Sequence, residues 1–140
     1  MSNNSPDVLK ALISGGTSGI GLALARGFAL AGYDVVAVGL GVLPRNTTRI
    51  RFASLDVTDG LAVASFVSKI AELDVVVNAA GIIRREDEFD PDIFAQVIDI
   101  NLNGTMRICT ATRTALAKRS GSIINIASML SYFGGGNVPA

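Results

Sequence analysis

Histidine and tryptophan are absent from the 140 residues, cysteine occurs once, at Cys109, and neither sign of charge prevails, with 12 Lys+Arg against 12 Asp+Glu. Each absence excludes a chemistry. Without histidine, a Ser-His-Asp triad, a histidine zinc site and a histidine general base are impossible. A lone cysteine neither staples the chain nor builds a thiolate cluster, so no metal is expected. Zero formal charge, with Arg and Lys scattered rather than striped, gives no electrostatic footprint for nucleic acid. Long hydrophobic runs are missing too. The longest, Ile20 to Ala31, is broken by Gly21, Arg26 and Gly27, whereas a membrane span needs about 20 apolar residues. Met1 to Leu12 lacks the basic start and long apolar stretch of a secretory leader. The chain reads as cytoplasmic, with a small molecule as its partner and neither nucleic acid nor membrane.

What is present is a core. Hydrophobic residues make up 49% of the chain, and a single domain of this size buries roughly 68–70% of its unfolded surface. Met1 to Asp7 reads as a frayed tail. Beyond it, Val8 to Ser14, Val35 to Val38, Arg49 to Leu55, Asp74 to Asn78 and Ser122 to Ala127 are short, rich in Val and Ile, and mostly apolar on both faces, as strands covered on both sides are. Between them the pattern predicts helices from about Gly19 to Ala31, stopped by Gly32, from about Gly60 to Glu72, and from about Pro91 to Lys118, with Asp90 as N-cap. The connection Leu40 to Thr48 is too short and polar for a crossover helix. This alternation predicts an α/β fold with a doubly wound parallel sheet, and such sheets bind ligands at the carboxyl ends of their strands. The unusual residues gather at that edge: Gly15 to Gly21, Gly39, Asp56, Asn78 to Gly81 and Ser128 follow the five strands in turn.

After the first strand comes Ser14-Gly15-Gly16-Thr17-Ser18-Gly19-Ile20-Gly21. Glycines there permit a tight turn and let backbone N–H groups approach a pyrophosphate at a helix N-terminus. The spacing is G-x-x-x-G-x-G, not G-x-G-x-x-G. Together with Asn78-Ala79-Ala80-Gly81 after the fourth strand, it resembles the short-chain dehydrogenase/reductase family, with Ser14 where threonine is usual. A glycine turn by itself also serves structure alone.

The resemblance extends through Ile98-Asp99-Ile100-Asn101-Leu102-Asn103-Gly104-Thr105 and Gly121-Ser122-Ile123-Ile124-Asn125-Ile126-Ala127-Ser128. Helical spacing from Phe94 and Val97 puts Asn101 on the apolar face and leaves Asn103 solvated. Asn101 reads either as an amide satisfied by neighbouring backbone or, as the resemblance implies, as the asparagine that kinks this helix and holds a water in the proton relay. Ser128 reads either as a loop cap or, by resemblance, as the active-site serine, donating to a substrate carbonyl or accepting from an alcohol. In the family the general acid/base is a tyrosine further along, followed a helical turn later by a lysine. Counted from Ser128 that tyrosine falls at position 141, past Ala140, and Tyr132 lies only four residues on with no lysine after it. The resemblance therefore implies residues 1–140 as one Rossmann-like, three-layer dinucleotide-binding domain, truncated after the fifth strand and inactive alone. The intact protein is expected to move a hydride between nicotinamide and a secondary alcohol or ketone, as a homotetramer or dimer. The rival reading is a non-catalytic dinucleotide sensor lacking the Tyr-Lys pair.

For the cofactor, the resemblance implies that Gly15, Thr17, Ser18, Gly19, Ile20 and Gly21 hold the pyrophosphate. Gly39 and Leu40 lie at the adenosine ribose, Asp56 and Val57 at adenine, and Asn78, Ala79, Ala80 and Gly81 along the adenosine side while bracing the sheet. Gly39-Leu40 carries neither the acidic residue that marks NAD nor a basic one for a 2′-phosphate. Ser18 replaces the basic residue of many NADP-binding relatives. NAD is therefore preferred and NADP possible, with Arg45 as the residue that would reverse the choice. Asp56 reads alternatively as a helix cap. Ile82-Ile83-Arg84-Arg85 is similar to family members acting on sugar acids and keto-deoxy sugar acids; its plainer reading is a solvated charge cluster of the two arginines with Glu86, Asp87 and Glu88.

Overall fold

A computed structural model describes residues 8–140; the reading of Met1 to Asp7 as a tail lies outside the described residues. Five strands, β1 (Lys10–Ser14), β2 (Asp34–Gly39), β3 (Ile50–Ser54), β4 (Val75–Asn78) and β5 (Ser122–Asn125), form one sheet in the order β3-β2-β1-β4-β5. Every pairing is parallel. The order reverses between β1 and β4, which opens a crevice beside their carboxyl ends.

The sheet's alternation divides the core. Leu12, Val38 and Val76 point to one face, where Val63 and Val67 of helix α2 (Gly60–Val67) and Ile108, Ala115 and Leu116 of α4 (Thr105–Ala117) pack on them. Ala11, Ile13, Ala37 and Val77 point to the other, under Ala25 of α1 (Gly19–Leu30), with Leu22 and Phe28 alongside. This is the expected three-layer α/β arrangement. Gly32 ends α1 at φ +94°, and the segment 40–49 crosses to β3 without a helix.

The helices depart from expectation in two places. Helix α2 stops at Val67 rather than near Glu72: Lys69 and Ile70 N–H groups turn back to the Phe66 and Val67 carbonyls, three residues away. That tight turn keeps Ile70 against the core while freeing the chain to enter β4. The long helix is not continuous. It comprises α3 (Pro91–Ile98), capped by Asp90, then a π-helical segment Asp99–Gly104, then α4. A short α5 (Leu130–Phe133) follows β5. Among the described residues no helix is long and apolar enough to cross a membrane.

Candidate functional site

The turns after β1 and β4 meet at the reversal point. Gly15 has φ +67°, and a Cβ on it would lie 2.5–2.6 Å from backbone atoms of Ala79 and Ala80. A Cβ on Gly21 would lie 2.1 Å from the Gly15 carbonyl oxygen. Contacts within the protein thus already require glycine at both positions. Gly19 differs: at φ +51° its missing side chain faces open space. Ser18, at the N-cap of α1, makes no side-chain capping bond, so the positive end of that helix is left to face outward with exposed Ser18 and Gly19. A diphosphate suits such a turn, because it needs N–H donors and positive potential with no side chain in front. Ile20 is exposed beside it.

The neighbouring strand ends are tied to this turn. The Gly16 N–H donates to the Val38 carbonyl at 2.9 Å, and the buried Thr17 hydroxyl donates to the Leu40 carbonyl at 3.3 Å. A Cβ on Gly39 would strike the same hydroxyl at 2.5 Å. Arg45 is exposed and makes no hydrogen bond or ion pair among the described residues. After β3, Asp56 is not the cap of α2; Asp59 is, accepting from the Ala62 N–H at 2.9 Å. One Asp56 oxygen, Oδ1, instead accepts from both the Thr58 N–H and its hydroxyl at 2.8 Å. The other, Oδ2, accepts nothing from the described residues. Val57 is buried.

Asn78 is a brace. Buried at the end of β4, its Oδ1 accepts from the Ser14 hydroxyl at 3.4 Å, while its amide donates to Asn125 Oδ1 at 2.9 Å and to Cys109 Sγ at 3.3 Å. It joins β1, β5 and α4 where backbone pairing ends. Asn78, Ala79, Ala80 and Gly81 line an open cavity of about 640 Å³ that also takes in Asn101 and Ser128. The structure therefore brings the two candidate catalytic residues to one cavity beside the β4 turn. A smaller cavity, about 270 Å³, lies at the opposite end of the sheet, against Lys10, Asp34 and Arg49.

Asn101 is exposed rather than turned into the apolar face. The π-helical segment inserts an extra residue per turn and rotates it off the stripe that α-helical spacing predicts. Its side chain clasps the loop after β4: the Ile82 N–H donates to Asn101 Oδ1 at 2.8 Å, and Asn101 Nδ2 donates to the Ile82 carbonyl at 2.9 Å. Both amide groups are satisfied by backbone. Ser128 is exposed, and its hydroxyl oxygen accepts from the Leu130 N–H at 3.1 Å at the start of α5. That contact occupies a lone pair and leaves the hydroxyl proton free to donate.

The charge cluster after Arg84 is not uniformly solvated. Glu88 is 2% exposed. Its Oε1 accepts from the Arg84 N–H at 2.7 Å and its Oε2 from the Ala140 N–H at 3.2 Å, and it borders the larger cavity. Arg84 and Arg85 are exposed and form no ion pair among the described residues. The burial of Glu88 had no sequence signal, because three acidic residues in a row read as surface.

A parallel sheet in this order, with a glycine turn at its reversal point, defines a Rossmann-like, doubly wound α/β protein. The chain belongs to the short chain dehydrogenase family, whose model matches residues 9–140. Its relatives include 2-dehydro-3-deoxy-D-gluconate 5-dehydrogenase of Dickeya dadantii (strain 3937), 40% identical over 93% of this chain. The enzyme of the same name from Escherichia coli (strain K12) is 35% identical over 93%. The chain spans 57% of the length of both. Among solved structures, a gluconate 5-dehydrogenase from Burkholderia cenocepacia J2315 in complex with NADP and tartrate superposes with a TM-score of 0.80 at 30% identity, covering 95% of this chain and 58% of that one.

Proposed function

We propose that this chain forms the dinucleotide-binding part of an oxidoreductase that transfers a hydride between nicotinamide and a secondary alcohol or ketone carbon of a sugar acid. The observation that carries the reading is the glycine turn at the β1–β4 reversal, with Gly19 open and the N-terminus of α1 uncapped by any side chain. Gly15 and Gly21 shape that turn; Thr17, Ser18, Gly19 and Ile20 hold the pyrophosphate; Gly39 and Leu40 face the ribose, and Asp56 and Val57 the adenine, with the unbonded Asp56 oxygen as acceptor. Asn78, Ala79, Ala80 and Gly81 line the adenosine side while Asn78 braces the sheet. The dinucleotide supplies the hydride acceptor or donor. Within the chain, the Ser128 hydroxyl donates its free proton to the substrate oxygen and polarises it. Asn101 fixes Ile82 at the cavity edge and supports the proton relay, and proton transfer belongs to the tyrosine that the family resemblance places beyond Ala140. NAD is preferred over NADP, since no basic residue ends β2 and Ser18 stands where many NADP-binding relatives carry a basic residue. The sugar-acid substrate class rests on the relatives' names and on the unpaired Arg84 and Arg85. Assembly into a homotetramer or dimer would cover Leu102 and Met106, 62% and 65% exposed, and the protein would work in the cytoplasm.

The test is titration of the protein that carries this chain with NADH, followed by turnover on keto-deoxy sugar acids. Binding with turnover is expected, and Ser128→Ala should lower kcat/KM by about 10²–10³ with cofactor affinity unchanged. Binding without turnover on any ketone would favour a non-catalytic sensor; no binding would overturn the assignment.

A further inference from the structure

We propose that Arg107 is a positioning residue for the adenine end of the dinucleotide, clamping the Asp56–Val57 turn onto the π-helical segment. The inference rests on the reading of Asp56 and Val57 given above and names what holds them in place. Arg107 projects from the first turn of α4. Its Nη2 donates to Asp99 Oδ1 at 2.8 Å, and its Nη1 donates to the carbonyls of Asp99 and Val57, each at 3.4 Å. The short contact anchors the guanidinium; of the two long ones, the bond to Val57 reaches a turn fifty positions away in sequence. Its Cδ and Nε lie 3.8 Å from where a Cβ on Gly60 would sit, so the stem also runs along the start of α2.

A second, independent contact closes the same seam. A Cβ on Gly104, the last residue of the π-helical segment, would lie 2.6 Å from Val57 Cγ2. Only glycine lets the two segments approach so closely. Asn103 adds a hydrogen bond from its amide to Asp99 Oδ1 at 3.0 Å, holding the carboxylate that holds Arg107. The geometry suits arginine in particular: a planar fork addresses a carboxylate and two carbonyls at once, whereas an ammonium is a point donor. The Asp56 oxygen left unbonded depends for its direction on this turn, whose other side-chain hydrogen bonds are local ones within residues 56–62 and whose Val57 side chain is packed in the core. The π-helical segment also carries Asn101, which clasps Ile82. One irregular stretch of helix therefore meets the adenine-side turn through Arg107 and Gly104, and the substrate-side loop through Asn101.

The experiment uses the protein that carries this chain and two probes, ADP-ribose, which presents adenosine and pyrophosphate, and reduced nicotinamide mononucleotide, which presents neither adenine nor its ribose. Arg107→Met should weaken ADP-ribose roughly three- to tenfold, the range for a charged hydrogen bond discounted for partial exposure, and leave the mononucleotide unchanged. Arg107→Lys should recover part of the loss. In the ligand-free protein, the Thr58 amide should exchange faster in Arg107→Met. If that variant does not fold, Asp99→Asn supplies the same comparison by removing the anchor. Unchanged ADP-ribose affinity, or equal losses for both probes, would overturn the clamp. If the unaltered protein binds neither probe, the functional reading falls and the clamp falls with it.

Discussion

Gly15 and Gly19 sit four positions apart in one turn, both with positive φ, yet their surroundings differ in kind. Adding a methyl group at Gly15 meets the Ala79–Ala80 backbone directly after β4, which the Ala79 N–H ties to the Ser14 carbonyl at 3.1 Å. Gly15→Ala combines the left-handed backbone cost of about 1–2 kcal/mol with an overpacking cost of about 1–3 kcal/mol. Gly19→Ala carries the backbone cost alone, because its Cβ enters open space. Chemical denaturation should therefore rank Gly15→Ala below Gly19→Ala in stability, while titration with NADH should show the Gly19 variant losing affinity although it remains folded. Equal stabilities would mean that the β1 and β4 turns separate more readily than their packing indicates. The motif was legible in sequence, but the division of labour within it was not, since a spacing pattern does not say which glycine faces protein and which faces solvent.

Among the elements, the π-helical segment has the largest consequences. It turns Asn101 out to Ile82, brings Gly104 against Val57, and gathers Asp99, Asn103 and Arg107 into one cluster. The Arg107 guanidinium, and after it the Asn103 amide, hold the Asp99 carboxyl below the usual carboxylate range, which lies near about 3.9 in an unfolded chain. A carboxylate with a depressed folded-state value contributes stability above its unfolded value and loses that contribution as pH falls through the folded one. Denaturation midpoints followed downward from pH 5 should drop less steeply in Asp99→Asn than in the unaltered chain. Identical acid limbs would show that the cluster does not persist in solution. Periodicity located this helix and its Asp90 cap correctly, yet it assumed one residue rotation throughout, and an inserted π turn leaves no mark in a hydrophobic pattern.

For the whole molecule, β5 is an edge strand, paired among the described residues only with β4. Ile123, Ile124 and Ile126 remain 41%, 43% and 44% exposed. An open edge bearing half-covered apolar side chains is a template for association. Residues 1–140 expressed alone should elute as associated species in sizing chromatography, and Ile124→Lys should shift them towards monomer by charging the face. A well-behaved monomer without that substitution would refute the argument. At the other end of the sheet, Lys10, Glu72, Asp74 and Arg119 form linked ion pairs and hydrogen bonds, including the Lys10 N–H to Asp74 at 2.7 Å. They tie β1, β4 and the end of α4 far from the candidate site.

The order of strands and helices, the parallel doubly wound sheet, the glycine turn and the gathering of polar residues at one sheet edge were determined by the sequence itself. Each depends on periodicity or on neighbours along the chain: Val-rich runs covered on both faces, Asp90 before Pro91, Gly32 after α1. What only the tertiary structure decided depends on segments distant in sequence. Glu88 is buried because two backbone N–H groups from separate segments meet it, and Asn78 is a brace because Ser14, Cys109 and Asn125 converge on it. Gly15 is needed because β4 ends beside it, and Arg107 reaches Val57 because Gly104 lets the backbones touch. Local pattern encodes which element forms, since propensity and burial act residue by residue; which side chain reaches which backbone is set by how closely the elements pack, and that distance is written in no single stretch of chain.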